Sequence, residues 1–154
     1  MGKGNAIAST FSRRDSDSAH SILICADTVV EIDGVVLEKP LDNDDAKRML
    51  RTLSGREHQV HSGVCIFATK NYDCLKKLDA FSTTTTVKFV SLSDADIDAY
   101  LRTEEPFDKA GSYGIQGYGG QFVESISGCY FNVMGFPLSA LSKRLSEHYY
   151  RGSL

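Results

Sequence analysis

The chain has 154 residues, 42% of them hydrophobic, and a formal net charge of −3. That is the size of one domain with enough apolar side chains for a packed core, and no broad basic footprint points to nucleic acid. No apolar run is long enough to span a bilayer, and Met1-Gly2-Lys3-Gly4-Asn5-Ala6 lacks a secretory apolar region.

The first twenty residues are polar and end in Ser12-Arg13-Arg14-Asp15-Ser16-Asp17-Ser18, which predicts the tail of a helix and a partly flexible surface loop. Ile22-Leu23-Ile24-Cys25-Ala26 then predicts a strand buried on both faces, with Asp27 where it leaves the sheet. Ligands sit at the carboxyl ends of strands in open α/β sheets. A carboxylate there can bind a metal or take a proton from water, or it can simply cap a turn. Asp33-Gly34 between apolar runs predicts a hairpin turn with positive φ at both central residues. Asp42-Asn43-Asp44 supplies N-cap candidates for a helix burying Ala46, Met49, Leu50 and Leu53, and Gly55 follows as its C-terminal glycine.

From residue 58 to 68 the period returns to two, with Val60, Ser62, Val64 and Ile66 on one side. His58 and His61 fall on opposite faces of that strand and cannot share a metal. Residues 69–78 read as a polar connection. Residues 81–90, rich in threonine and aromatics, read as another strand. Ser93-Asp94-Ala95-Asp96 resembles a capping box opening a helix that turns Ile97, Tyr100 and Leu101 inward and stops before Pro106. Five glycines at positions 111, 114, 117, 119 and 120 then imply positive φ or close backbone approach. Lys109, Tyr113 and Gln116 lie among them, suited to bind phosphate, stack and hydrogen-bond. The stretch matches neither the dinucleotide fingerprint nor a P-loop. Residues 121–126 predict a strand, and Phe136-Pro137 opens a last helix with Leu138, Leu141 and Leu145 on one face.

The four cysteines, Cys25, Cys65, Cys74 and Cys129, form no CxxC pair and read as reduced thiols, mostly core fillers, of a cytosolic protein. There is no internal repeat and no domain boundary. The interleaved strands and helices give an α/β class with a mixed sheet flanked by helices, one domain over residues 1–154.

Several ordered motifs together resemble the Maf family of nucleotide pyrophosphatases, with its inosine-triphosphatase-like fold. Ala26-Asp27-Thr28-Val29-Val30 resembles the family's ADTVV signature. Lys39-Pro40 resembles its Gly-Lys-Pro element, with Glu38 in the glycine's place. Residues 53–60 resemble LSGxxHxV, and Ser62-Gly63-Val64 replaces Thr-Gly-Val. Residues 105–117 resemble EPxDKAGAYGIQG almost throughout, and Asn132-Val133-Met134-Gly135-Phe136-Pro137-Leu138 resembles NVVGLPL. Thr28 and Gln116 place the chain with the branch acting on dTTP and UTP. A Gln side chain offers donors and an acceptor, matching the O4 and N3–H edge of uracil or thymine.

The resemblance implies hydrolysis of a nucleoside triphosphate to the monophosphate and pyrophosphate, in a cytoplasmic house-cleaning role. It makes Asp27 the proton acceptor and a ligand of a divalent cation, Mg2+ or Mn2+. Lys3, Lys39 and Lys109 become phosphate partners, with a solvated-surface role as the alternative for each, and Thr28 and Gln116 become specificity residues. The expected partners are pyrimidine nucleoside triphosphates, with no nucleic acid and no membrane; a homodimer is compatible. The family's opening strand and Ser-x-Ser-x-x-Arg phosphate loop have no counterpart before Lys3. Ser9-Thr10-Phe11-Ser12-Arg13-Arg14 imitates that loop but lies too close to Asp27. The expectation is therefore an N-terminally shortened domain of low activity and marginal stability. The alternative reading is a catalytically impaired nucleotide-binding or regulatory protein.

Overall fold

A computed structural model describes residues 20–70 and 74–152; the expectations for the opening segment, Lys3 among them, lie outside the described residues. Its elements are β1 (His20–Ile32), β2 (Val35–Leu37), α1 (Asn43–Leu53), β3 (Glu57–Lys70), β4 (Cys74–Phe89), α2 (Asp94–Leu101), β5 (Val123–Ser127), α3 (Tyr130–Val133) and α4 (Leu138–Tyr150). Three short 3-10 turns, Glu105–Asp108, Ala110–Ser112 and Tyr118–Phe122, occupy the glycine-rich stretch. The five strands form one sheet in the order β2-β1-β3-β4-β5, with β1–β2 and β4–β5 antiparallel. The α/β class, a sheet accompanied by helices, is the one the sequence implies.

Local signals account for most element ends. Asp33 and Gly34 take φ of 54° and 78°, the two positive values of the predicted β1–β2 turn. The Asp42 carboxylate accepts from the Asp45 N–H at the start of α1, and Gly55 follows that helix at φ 70°. Ser93 and Asp96 form a reciprocal capping box on α2.

Packing divides the described residues into two compact units, one of residues 20–27, 63–70, 74–82 and 138–152, the other of Thr28–Ser62 and Thr83–Pro137. The second holds the larger core. There the buried face of α1 (Met49, Leu50, Leu53) packs with Val30, Ile32, Val60, Val87, Phe89, Ile97 and Tyr100. In the first, Val64, Ile66 and Leu141 are buried, with half-buried Ile24, Ala26, Leu78, Phe81 and Leu145 around them. Arg144 lies 5.3 Å over the Phe81 ring and bonds Asp79 at 3.2 Å.

The structure corrects four readings. First, β1 runs on to Ile32, so Asp27 is in mid-strand and not at a strand end; pairing with β2 carries the strand past the apolar run. Ile22 is exposed, and residues 23–26 are half-buried. Second, residues 69–78 are not one irregular connection, because β3 extends to Lys70 and β4 starts at Cys74. Third, the cysteines do not fill the core. Cys74 is exposed and the other three are half-buried, all of them free thiols. Fourth, Leu138 at the start of α4 is exposed, leaving Leu141 and Leu145 as that helix's packing residues.

Candidate functional site

Five of the six sequence-derived site residues lie within the described residues. Asp27 is exposed on β1 in the first unit, and Thr28, next along the strand, belongs to the second with Lys39, Lys109 and Gln116.

The second unit gathers the two lysines. The Gly111 N–H donates to the Glu38 carbonyl at 3.1 Å, tying the segment after β2 to the glycine-rich loop. Lys109 Nζ donates to Asp108 Oδ1 at 2.5 Å. That bond, with the Lys109 charge and the nearby Lys39 charge, holds the Asp108 carboxyl below the usual carboxylate range. Lys109 is thus paired with one exposed carboxylate, at which the Lys39 charge is felt more weakly. Gln116 is exposed on the turn that the Gly117 N–H closes onto the Gly114 carbonyl.

Glu105 organises that loop. Its carboxylate accepts from the Tyr118 N–H at 2.8 Å, the Gly119 N–H at 3.0 Å and the Tyr100 hydroxyl at 2.9 Å. Burial alone would raise the carboxyl. The backbone donors, Tyr100 and the Lys109 charge outweigh burial and lower it. The glycines are explained mainly by close approach. A methyl group at Gly117 would collide with the Glu105 carboxylate, and one at Gly119 would sit 2.8 Å from the Tyr100 oxygen. Of the five, only Gly111 needs positive φ, at 68°, and a methyl there would strike Val30 of β1.

His58 and His61 separate as predicted. His58 is buried against Phe89 and Tyr113, its Nε2 2.8 Å from the Tyr113 hydroxyl, and burial pushes its pKa down to about 4. His61 is half-exposed, near Glu31 and Thr84. The pair belongs to the core and the sheet surface, not to a metal centre.

A second polar group centres on Thr28. Its hydroxyl lies 2.8 Å from Ser62 Oγ, and Ser62 donates to the Asn132 carbonyl at 3.2 Å. The Asn132 amide donates to the Val60 carbonyl and to Thr85 Oγ1. The fully buried Asn132 and Ser62 were not singled out as site residues from the sequence. The motifs containing them were visible, but nothing local linked positions 28, 62 and 132. Glu105 was missed for the same reason.

Among the described residues no group of three or more His, Cys, Asp or Glu side chains could hold a metal. The exposed Asp27 carboxylate offers the oxygen donor that a hard cation takes when water and substrate complete its shell.

These features define an α/β protein with a glycine-rich loop clasped by Glu105 and carrying Lys109, and with Lys39 in the segment after β2 that is tied to that loop. The chain belongs to the Maf-like protein family, whose sequence pattern matches residues 1–148. It is 44% identical over 146 residues to the dTTP/UTP pyrophosphatase of Carboxydothermus hydrogenoformans, covering 92% of this chain and 76% of that one. With the dTTP/UTP pyrophosphatase of Clostridium perfringens (strain 13 / Type A) it shares 50% identity over 128 residues, 83% of this chain and 65% of the relative. The chain thus spans about two thirds to three quarters of the length of these relatives.

Proposed function

We propose that this protein hydrolyses dTTP and UTP to the monophosphate and pyrophosphate. The observation that carries this reading is the tie between the Lys39 segment and the clasped loop bearing Lys109, through the Gly111 N–H and the Glu38 carbonyl, in a chain whose relatives are named for that reaction. Water attacks the α-phosphorus as the bond from that phosphorus to the bridging oxygen breaks, and pyrophosphate leaves. Asp27 takes the proton from the attacking water. Lys39 and Lys109 bind the phosphates, and Gln116 reads the O4 and N3–H edge of the base. A divalent cation, Mg2+ or Mn2+, bound through Asp27 would supply charge neutralisation at the triphosphate. The exposure of Asp27 and Gln116 suits groups that meet a ligand. The role is one of nucleotide-pool maintenance in the cytoplasm; separately, the described residues include no helix long and apolar enough to cross a membrane.

The test is pyrophosphate release from dTTP, UTP, CTP and GTP with magnesium present. Faster release from dTTP and UTP than from the other two is expected. Nucleotide binding without release would turn the reading to a regulatory protein, and equal release from all four would remove the pyrimidine assignment.

A further inference from the structure

β1 and β3 are neighbours in the sheet, and their side-chain contacts set the pairing. Arg56, just before β3, bonds Asp33, just past the end of β1. Thr28 meets Ser62 at 2.8 Å. Farther back on β1, Ile24 and Ala26 pack with Val64 and Ile66. Contacts thus retreat along β1 as they advance along β3, so the two strands run antiparallel. Two hydroxyls, each one bond out from its Cβ, meet at 2.8 Å across directly opposed positions and not along a diagonal. Thr28 then faces Ser62, Ala26 faces Val64, and Ile24 faces Ile66. Residues 24 to 30 and 60 to 66 both alternate without a break, so no bulge shifts the register. On the opposite face the same register sets Cys25 against Cys65 and Asp27 against Gly63.

Cys25 and Cys65 belong to the first unit, and both are free, half-buried thiols, open to a small reagent. Directly opposed residues on antiparallel strands have Cα atoms about 4.5 or 5.5 Å apart, inside the range a disulfide spans. Their Cβ atoms are about 4.5–5.5 Å apart, whereas a disulfide takes about 3.5–4.5 Å. Closing the bond therefore draws the strands together. Strained disulfides of this kind are the easily reduced, regulatory ones rather than permanent staples. Asp27 and Gly63 form the next pair on that face, so the displacement falls beside the proposed proton acceptor.

We infer that Cys25 and Cys65 are a redox pair whose reversible disulfide lowers turnover by displacing Asp27. The effect on turnover rests on the reading of Asp27 as the proton acceptor of a nucleotide pyrophosphatase; formation of the disulfide does not. The oxidant is a low-molecular-weight disulfide. One cysteine, deprotonated, attacks a sulfur of the oxidant, which gives a mixed disulfide and releases one thiol. The other cysteine then attacks the protein sulfur of the mixed disulfide. The Cys25–Cys65 bond forms and a second thiol leaves. The pair gives up two electrons and two protons, and the two released thiols carry them away. A dithiol reductant reverses both steps.

Treatment with glutathione disulfide, followed by alkylation and peptide mass spectrometry, reads the pair directly. The unaltered protein should yield a cross-linked peptide joining Cys25 to Cys65. Its UTP turnover should fall roughly tenfold or more, and dithiothreitol should restore both the thiols and the rate. A protein carrying Cys74→Ser and Cys129→Ser should respond in the same way. One carrying Cys25→Ser and Cys65→Ser should keep its turnover through the treatment. If that variant does not fold, Cys25→Ala with Cys65→Ala takes the same reading. Mixed disulfides with glutathione and no Cys25–Cys65 cross-link overturn the pair. A cross-link with turnover unchanged, or a loss of turnover that persists without Cys25 and Cys65, overturns the switch and leaves the proposed function standing. Failure of the reduced protein to hydrolyse UTP overturns the proposed function itself, and the cross-link alone then decides the pair.

Discussion

Asp27 and Gln116 are exposed, so side-chain changes there can be read as chemistry more directly than as packing. Asp27→Asn removes the proposed proton acceptor while keeping side-chain size. Loss of a general base typically costs about 10²–10⁴ in rate. We expect pyrophosphate release to fall into that range with the melting temperature unchanged; near-parental release would exclude Asp27 as the base. Gln116→Glu exchanges two donors for a carboxylate that opposes the O4 acceptor. Turnover of dTTP and UTP should drop more than that of GTP. An equal loss across nucleotides would assign Gln116 to the phosphates or to the loop's shape.

At the scale of elements, residues 105–120 act as one clasped unit. Three donors converge on the Glu105 carboxylate, and glycines at 117 and 119 leave the space they need. Lys109 passes close by, its Cε 3.3 Å from where a Gly114 methyl would lie. Glu105→Ala leaves those donors without their partner, at a cost of about 1–3 kcal/mol in stability. Gly117→Ala should act similarly, by displacing the carboxylate and not by straining φ. Both variants should show a lowered melting temperature and faster proteolytic cleavage within the loop. Glu105→Gln keeps an acceptor of similar size and should lie between them and the parent. A Gly117→Ala protein as stable and as resistant as the parent would mean that the clasp does not hold the loop.

At the scale of the whole molecule, the buried His58 ties folding to pH. Its pKa falls from 6.5 to about 4 because burial disfavours the imidazolium form. Between those values the unfolded chain binds the proton that the folded chain refuses. This contribution to stability is complete above about pH 6.5 and is lost as pH falls toward 4. The shift corresponds to about 3 kcal/mol at full expression. Denaturant titrations across that window should show stability declining with acid. His58→Gln, which retains a possible partner for the Tyr113 hydroxyl, should flatten the decline. An equal slope in both proteins would overturn the His58 assignment, since the lowered carboxylates Glu105 and Asp108 lose their contribution only from about their unfolded values of 4.5 and 3.8 downward.

Elements with local causes could be read from the residues alone. The Asp33-Gly34 turn, the Asp42 cap, the Ser93–Asp96 capping box and the alternation from Val60 to Ile66 each depend on neighbours within a few positions. The candidate site residues Asp27, Thr28, Lys39, Lys109 and Gln116 were likewise named from short motifs. Tertiary structure decided how far β1 runs, and hence that Asp27 lies in mid-strand, since pairing with β2 fixes that length. It also decided what surrounds the candidates. Glu105 meets donors 13 and 14 residues away. Thr28 meets Ser62 across 34 positions, and Ser62 meets Asn132 across 70. Hydrogen bonds form only at fixed distances and angles, and over such separations only the packed sheet and loops set them.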